Sequence, residues 1–132
     1  MTILKIIPLL IAITALSACS RDESISKFAN PLAIYHLVTL DDLGFPTRAT
    51  ISFPEESRVV GQAPCNSYFA TQTVPYPWFG LEGIGATRMG CPDLALESEF
   101  FDALEGMTLA EVAGDTLILS NSVGRKLIFV AR

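Results

Sequence analysis

The stretch TRMGCPDLALESEFFDAL, residues 87–104, contains the point at which the sequence changes from strand-like to helical periodicity. Pro92 and Asp93 suit the first turn of a helix, and Gly106 suits its end. Between them, apolar side chains recur at the spacing that places them along one side of a helix. These residues are Leu96, Phe100, Ala103, Leu104 and Met107, and we expect Leu94 and Phe101 beside them to widen the buried face. The stretch therefore predicts one amphipathic helix.

The predicted helix also carries four carboxylates. Glu97, Asp102 and Glu105 lie off the apolar stripe, and Glu99 borders it. Carboxylates that act in acid–base catalysis or cation binding have to converge in a cleft. On a helix packed by its other side, such residues usually form the solvated face. We therefore expect these four side chains to face water.

Strand-like segments lie on both sides of the predicted helix. In residues 45–53 the apolar and polar side chains alternate, as in a half-buried strand, and prolines stand near its two ends at 46 and 54. One face of this segment consists of Phe45, Thr47, Ala49, Ile51 and Phe53. The other extended segments are 34–40, 57–65, 66–74 and 78–87 before the helix, and 108–114, 115–121 and 125–131 after it.

The order of these segments predicts the fold class. Spacers of hairpin length separate the last three strands, which favours antiparallel pairing. Strands do not alternate with helices, so the pattern gives no support to a parallel sheet. We predict an α+β fold, in which a curved or barrel-like antiparallel sheet carries one packed helix.

The first 18 residues are typical of an export signal peptide. Lys5 is their only charge, and the apolar run Ile6–Ala15 is too short to span a bilayer. The next residues, Leu16-Ser17-Ala18-Cys19, resemble the lipobox of bacterial lipoproteins, which implies a lipid anchor on Cys19. We interpret the polar residues 19–31 as a tether and residues 32–132 as one domain.

Location and charge limit the classes of partner. Ser20 stands where lipoproteins retained in the inner membrane often carry Asp, so we expect the periplasmic face of the outer membrane. Without Lys5, residues 19–132 contain eight basic and 14 acidic residues, a net charge of −6. No basic cluster is present, which argues against nucleic acid. The expected partners are the membrane, through the lipid on Cys19, and an unknown envelope protein or small ligand.

The three cysteines divide between two roles. If Cys19 carries lipid, Cys65 and Cys91 remain as a pair in a compartment that permits disulfides. A bond between them would stabilise the fold by about 3.5 kcal/mol in the chain-entropy treatment. Two buried free thiols are an alternative. A catalytic cysteine needs a base, and His36 is the only histidine. Zinc needs about four ligands. The disulfide is the favoured interpretation, and we expect no metal and no cofactor.

The function is constrained mainly by what the sequence lacks. It contains no GxSxG, HExxH, Walker, GxGxxG or CxxC motif, so we expect no enzyme activity. The densest aromatic patch contains Tyr76, Trp78 and Phe79, which form a binding surface if exposed and core if buried. The main hypothesis is a non-enzymatic binding protein. A hydrolase-like enzyme of unrecognised mechanism and an inhibitor-like interaction module are the alternatives, and a polar pocket around carboxylates or His36 would favour the enzyme.

Four segments together resemble the META domain family, which includes the HslJ-like bacterial lipoproteins. They are VVGQAPCNSY (59–68), IGATRMGC (84–91), LESEFFDAL (96–104), and VAGDTLIL (112–119) followed by LIF (127–129). The resemblance implies a small α+β domain at the cell envelope, linked in the family to stress and antibiotic tolerance. It implies no catalytic mechanism.

Overall fold

The computed structural model describes residues 21–132 of the chain. In chain order its strands and helix are β1 (Tyr35–Leu40), β2 (Leu43–Gly44), β3 (Thr50–Ile51), β4 (Arg58–Gln62), β5 (Ser67–Gln72), β6 (Leu81–Ala86), α1 (Leu94–Glu105), β7 (Leu109–Ala113), β8 (Thr116–Ser120) and β9 (Lys126–Ala131). The predicted signal peptide, 1–18, and the predicted lipid site, Cys19, lie outside the described residues. Residues 21–132 contain no helix with the length and hydrophobicity that a membrane span requires.

The strands pair antiparallel in two sheets. The larger sheet has the order β2-β1-β9-β8-β7, with β3 also paired to β1, and the smaller sheet has the order β4-β5-β6. Two isolated bridges, Ser52–Val60 and Trp78–Leu109, join one sheet to the other. The predicted α+β class is confirmed. Because the sheets meet at these single bridges, the strands do not form a closed barrel.

Helix α1 packs on the sheets mainly through the predicted stripe. Phe100, Ala103 and Leu104 are fully buried, and the Phe100 ring lies 5.8 Å from the ring of Tyr68 in β5. Two expectations about the helix are wrong. Leu94 is exposed, because it begins the first turn at the edge of the contact. Glu97 is only 7% exposed, although it was expected to face water.

The alternating segment 45–53 forms less regular strand than its pattern predicts. Only Thr50–Ile51 pairs with β1, and Ser52 adds the bridge to Val60. The prolines at 46 and 54 lack an N–H group and cannot extend a ladder. The inward face nevertheless survives in part, because Ala49, Ile51 and Phe53 are fully buried whereas Phe45 and Thr47 are half-buried.

The segment assigned to the tether is attached to the domain over the part that the structure describes. A single 3-10 turn, Ile25–Lys27, places Ile25 in the core, and Ala29 is buried nearby. Before this turn, the Asp22 carboxylate accepts hydrogen bonds from Ser24 and Ser26. Residues 24–29 therefore belong to the folded body, because two of their apolar side chains are buried within it.

Candidate functional site

A surface groove lies where the backbone pairing between β3 and β4 ends. After the bridge between Ser52 and Val60, these strands are joined by a side-chain hydrogen bond, from the Gln62 N–H to Thr50 Oγ1 at 2.9 Å. The groove has a volume of about 540 Å³, within the usual range of small-ligand sites. We call it the Phe69 groove. Its lining consists of Ile34, Arg48, Thr50, Ser52, Arg58, Val60, Gly61, Gln62, Ser67, Tyr68 and Phe69.

Tyr68 supports the base of the Phe69 groove. Its side chain passes Gly61, where a Cβ atom would overlap both the Tyr68 ring and the Thr50 carbonyl. Its hydroxyl donates a 2.6 Å hydrogen bond to the Thr50 carbonyl oxygen, which ties β5 to β3 beneath β4. Burial raises the pKa of the Tyr68 phenol well above its usual value, so the hydroxyl remains a donor.

Phe69 supplies an exposed apolar surface at the groove. Its ring lies against Gly85 of β6, where a Cβ atom would overlap the ring. Although it contacts Gly85, Phe69 is 61% exposed. Ile34, also exposed, lines the same groove. A ligand with an apolar body can therefore lie against both side chains.

The charges that line the groove are positive, although the whole chain is acidic. Arg48 makes no ion pair with any of the described residues 21–132, whereas Arg58 pairs with Glu55 at 2.9 Å. Hydroxyl groups from Ser52 and Ser67 also line the groove. This combination of guanidinium, hydroxyl and phenyl groups suits an anion that carries an apolar body.

A second polar arrangement, which we call the Asn66 cluster, joins α1 to the turns beside it. Glu97 accepts hydrogen bonds from the backbone N–H groups of Cys65 and Asn66, at 3.1 and 2.7 Å, and from the Asn66 side chain at 2.7 Å. The Asn66 side-chain oxygen accepts from the Thr87 hydroxyl at 3.0 Å and from the Met89 N–H at 2.6 Å. The cluster thus holds three chain segments together.

The disulfide lies beside the Asn66 cluster. Cys65 and Cys91 are bonded to each other, with their Cα atoms 5.9 Å apart. The structure therefore contains the bond that the cysteine count favoured. The bond joins the β4–β5 turn to the residues that precede α1. It strengthens the same junction that Glu97 and Asn66 hold by hydrogen bonds.

Comparison with known proteins identifies the family. The sequence profile of the META domain matches residues 34–132. The chain belongs to the META domain family. A comparison with curated protein sequences finds no match.

Solved structures share the fold of this META domain. An NMR structure of a protein from Burkholderia xenovorans has 18% identity and a TM-score of 0.64, over 87% of this chain and 93% of that one. A DUF4847 family protein from Bacteroides vulgatus has 11% identity and a TM-score of 0.63, over 81% of this chain and 96% of that one. At these identities the likeness concerns the fold alone.

Three of the four segments that resemble the META family meet at the Asn66 cluster and the disulfide beside it. Segment 59–68 supplies Cys65 and Asn66, segment 84–91 supplies Cys91 and the other partners of Asn66, and segment 96–104 supplies Glu97. The sequence resemblance therefore follows a structural junction. Segment 59–68 also supplies part of the Phe69 groove, but Arg48 and Phe69 lie outside the four segments, so the resemblance does not point to these two residues.

The predicted aromatic surface divides between exposed surface and core. Trp78 is 58% exposed, whereas Phe79 is buried and belongs to the core, so of the two alternatives Phe79 takes the core and only Trp78 is fully available as surface. Neighbouring residues of extended backbone point to opposite sides, so Trp78 faces outward while Phe79, whose N–H donates to the Thr108 carbonyl, turns inward. Tyr76 is half-buried, stacked on Phe28 with ring centroids 4.3 Å apart.

Metal-binding and nucleophilic residues do not come together in the part of the chain that the structure describes. No group of three His, Cys, Asp or Glu side chains in residues 21–132 could hold a metal ion. His36 lies in β1 opposite Thr50, and the two described cysteines are bonded to each other.

Proposed function

We propose that this META domain protein is a lipid-anchored component of the cell envelope. It binds a small anion that has an apolar body, and it does not alter that ligand chemically. The observation that carries the proposal is that Arg48 and the exposed ring of Phe69 line the same groove. A cation beside an apolar surface favours a ligand that has both an anionic group and an aromatic or aliphatic body.

The proposed location is supported by the N-terminal sequence. The apolar leader and the lipobox-like Leu16-Ser17-Ala18-Cys19 favour export and acylation. The Cys65–Cys91 disulfide agrees with an oxidising compartment. Ser20 favours the periplasmic face of the outer membrane, and the family resemblance favours a role in envelope stress or antibiotic tolerance. An intact mass of the protein purified from membranes tests the anchor, because acylation adds the mass of the lipid to a chain that begins at Cys19.

Binding is favoured over catalysis by the chemistry of the groove. The residues that line it include no histidine, cysteine, aspartate or glutamate. The Tyr68 hydroxyl donates to the Thr50 carbonyl, and its raised pKa opposes action as a base. The polar groups that remain, from arginine, serine, threonine and glutamine, can hold a ligand by hydrogen bonds. A ligand held in this way is released unchanged.

The binding proposal can be tested with a matched pair of fluorescent probes. 8-Anilinonaphthalene-1-sulfonate has an apolar body and a sulfonate, whereas N-phenyl-1-naphthylamine lacks the charge. We expect Arg48→Gln to weaken binding of the sulfonate about threefold, as the loss of one partly solvated charge contact predicts. The neutral probe should bind Arg48→Gln and the wild type equally. Phe69→Ala should weaken both probes.

The control variants change similar side chains outside the groove. Arg88→Gln removes an exposed arginine, and Leu43→Ala removes an apolar side chain that is 73% exposed. Neither position lines the groove. Equal binding of the sulfonate to Arg48→Gln and Arg88→Gln would contradict the proposed anion site. A wild type that binds neither probe would also contradict it.

A further inference from the structure

We infer that the end of the domain formed by Phe28, Tyr76 and Trp78 lies against the bilayer into which the lipid on Cys19 inserts. We call this the Gln72 end, because it lies at the close of β5, where Gln72 Nε2 donates to the carbonyl oxygens of Val74 and Trp78 at 2.8 and 3.3 Å. The inference rests on the anchor proposed above and adds the orientation of the domain.

The N-terminal segment meets the domain at the Gln72 end. Arg21 lines a cleft together with Gln72, Thr73, Val74 and Pro75. The Glu23 carbonyl accepts a 2.8 Å hydrogen bond from the Tyr76 N–H. The segment is thus fixed to the Gln72 end by a backbone hydrogen bond and, through Ile25, by burial in the core.

Only a short length of chain separates this end from the proposed anchor. Cys19 is two residues from Arg21. Two fully extended residues span at most about 7 Å. An acyl group on Cys19 therefore holds the Gln72 end within about a nanometre of the headgroup layer. Residues 24–29, which would otherwise add length to the tether, are packed into the domain.

Aromatic side chains are exposed at this end of the domain. Trp78 is 58% exposed and Phe28 is 52% exposed. The Phe28 ring stacks on Tyr76, and Trp78 is bridged to Leu109, which is also exposed. Trp and Tyr are the residues enriched at the headgroup level of membranes, because their rings combine apolar area with a polar group. The aromatic residues thus face the layer that the short tether brings near.

The charges at this end are nearly balanced. Arg21 and Lys27 line a cleft with Asp22, Glu23 and Phe28, so two positive groups are offset by two negative groups. Electrostatic attraction to anionic lipid is therefore small. The tether and the exposed rings supply the contact, and neither depends on the sign of the headgroup charge.

The test uses Trp78 itself as the reporter, because it is the only tryptophan in the chain. The protein purified from membranes is reconstituted into phosphatidylethanolamine and phosphatidylglycerol vesicles that contain phosphatidylcholine with a nitroxide spin label on its headgroup. An indole at the headgroup level contacts the nitroxide, so we expect Trp78 emission to fall about twofold relative to vesicles without the spin label.

The matched control moves the reporter to the opposite end of β5. Met89 is 66% exposed, and its backbone is bonded to Asn66, next to the start of β5. A six-residue strand places this position about 17 Å from the Gln72 end. Trp78→Phe/Met89→Trp should therefore show no quenching. Both changes are at exposed positions, so the fold is retained.

The outcomes separate the orientation from the anchor. Acyl mass on Cys19 with quenching of Trp78 alone supports the inference. Acyl mass with no quenching of Trp78, or with equal quenching of the Met89→Trp reporter, overturns the orientation and leaves the anchor intact. A protein without acyl mass overturns the anchor, and the orientation is then overturned with it.

Discussion

Glu97 accepts hydrogen bonds from both the backbone N–H and the side-chain amide of Asn66, at 2.7 Å each. Both carboxylate oxygens of Glu97 accept hydrogen bonds. An amide side chain, which has one acceptor and one donor group, therefore cannot replace the carboxylate. This contact connects a residue on α1 with a residue in the turn before β5. The stability of that junction should therefore depend on the carboxylate itself.

Glu97→Gln should lower the free energy of unfolding by about 3 kcal/mol, since it removes charge-assisted bonds and sets one amide N–H₂ group against another. Chemical denaturation monitored by circular dichroism measures this change. Asp102→Asn, on the exposed side of the same helix, should change stability by less than about 0.5 kcal/mol. Equal effects of the two substitutions would show that burial of Glu97 contributes nothing specific.

Removal of the disulfide should destabilise the fold without abolishing ligand binding. Cys65→Ala/Cys91→Ala should lower the free energy of unfolding by about 3.5 kcal/mol, because the bond restricts the unfolded chain over 26 residues. Reduction of the wild type should have a similar effect. Thiol titration of the folded, unreduced protein provides the check on the bond, and two free thiols would contradict it.

The helix and the strands after it could be predicted from the sequence because the spacing of apolar residues shows which side chains are buried. The helical stripe through Phe100 and Leu104 and the three strands after it follow such periods. The burial of Glu97 was missed because the stripe was counted from apolar residues alone. Its position, three residues before Phe100 and seven before Leu104, already places it on their side of the helix.

The Phe69 groove could not be predicted in the same way. Ile34, Arg48 and Phe69 are far apart in the sequence, and they approach one another only after β3 and β4 pair incompletely. The sequence pattern around Phe69 is also that of an ordinary strand residue, and it does not show that the ring lies in a groove. The single bridge between β3 and β4 depends on tertiary packing, and no local sequence pattern predicts it.

Tyr68 predicts a pH dependence of stability in alkaline solution. Its pKa is raised above the usual 10.0 by burial, so the folded state holds the proton while the unfolded state releases it. The stabilisation that this group contributes is complete below pH 10 and declines as the pH rises. Above that pH it declines by up to about 1.4 kcal/mol per pH unit.

The matching variant is Tyr68→Phe, which cannot ionise. At pH 7 it should be less stable by about 1 kcal/mol, because the Thr50 carbonyl loses its donor. At pH 11 the difference from the wild type should shrink or reverse. Urea denaturation at the two pH values measures both. If the free energies of unfolding of the wild type and Tyr68→Phe differ by the same amount at pH 7 and at pH 11, the phenol ionises equally in the folded and unfolded states.

Gly85 should matter for binding because of the ring that lies over it. Gly85→Ala places a Cβ where the Phe69 ring now lies, so the ring must move out of the groove wall. We expect the anionic and neutral naphthalene probes to bind about threefold more weakly, as a change of about 0.7 kcal/mol in apolar contact predicts. Gly90→Ala is the control, since a Cβ there meets no atom within 4 Å.

A double variant tests whether Gly85 acts through Phe69. If the glycine serves only to seat the ring, Phe69→Ala/Gly85→Ala should bind the probes as weakly as Phe69→Ala alone, because residues in direct contact give non-additive effects. Fluorescence titration of the wild type, both single variants and the double variant completes this cycle. Strictly additive losses would mean that Gly85 contributes by another route, such as the shape of β6, and that the position of the Phe69 ring does not determine the affinity of the groove.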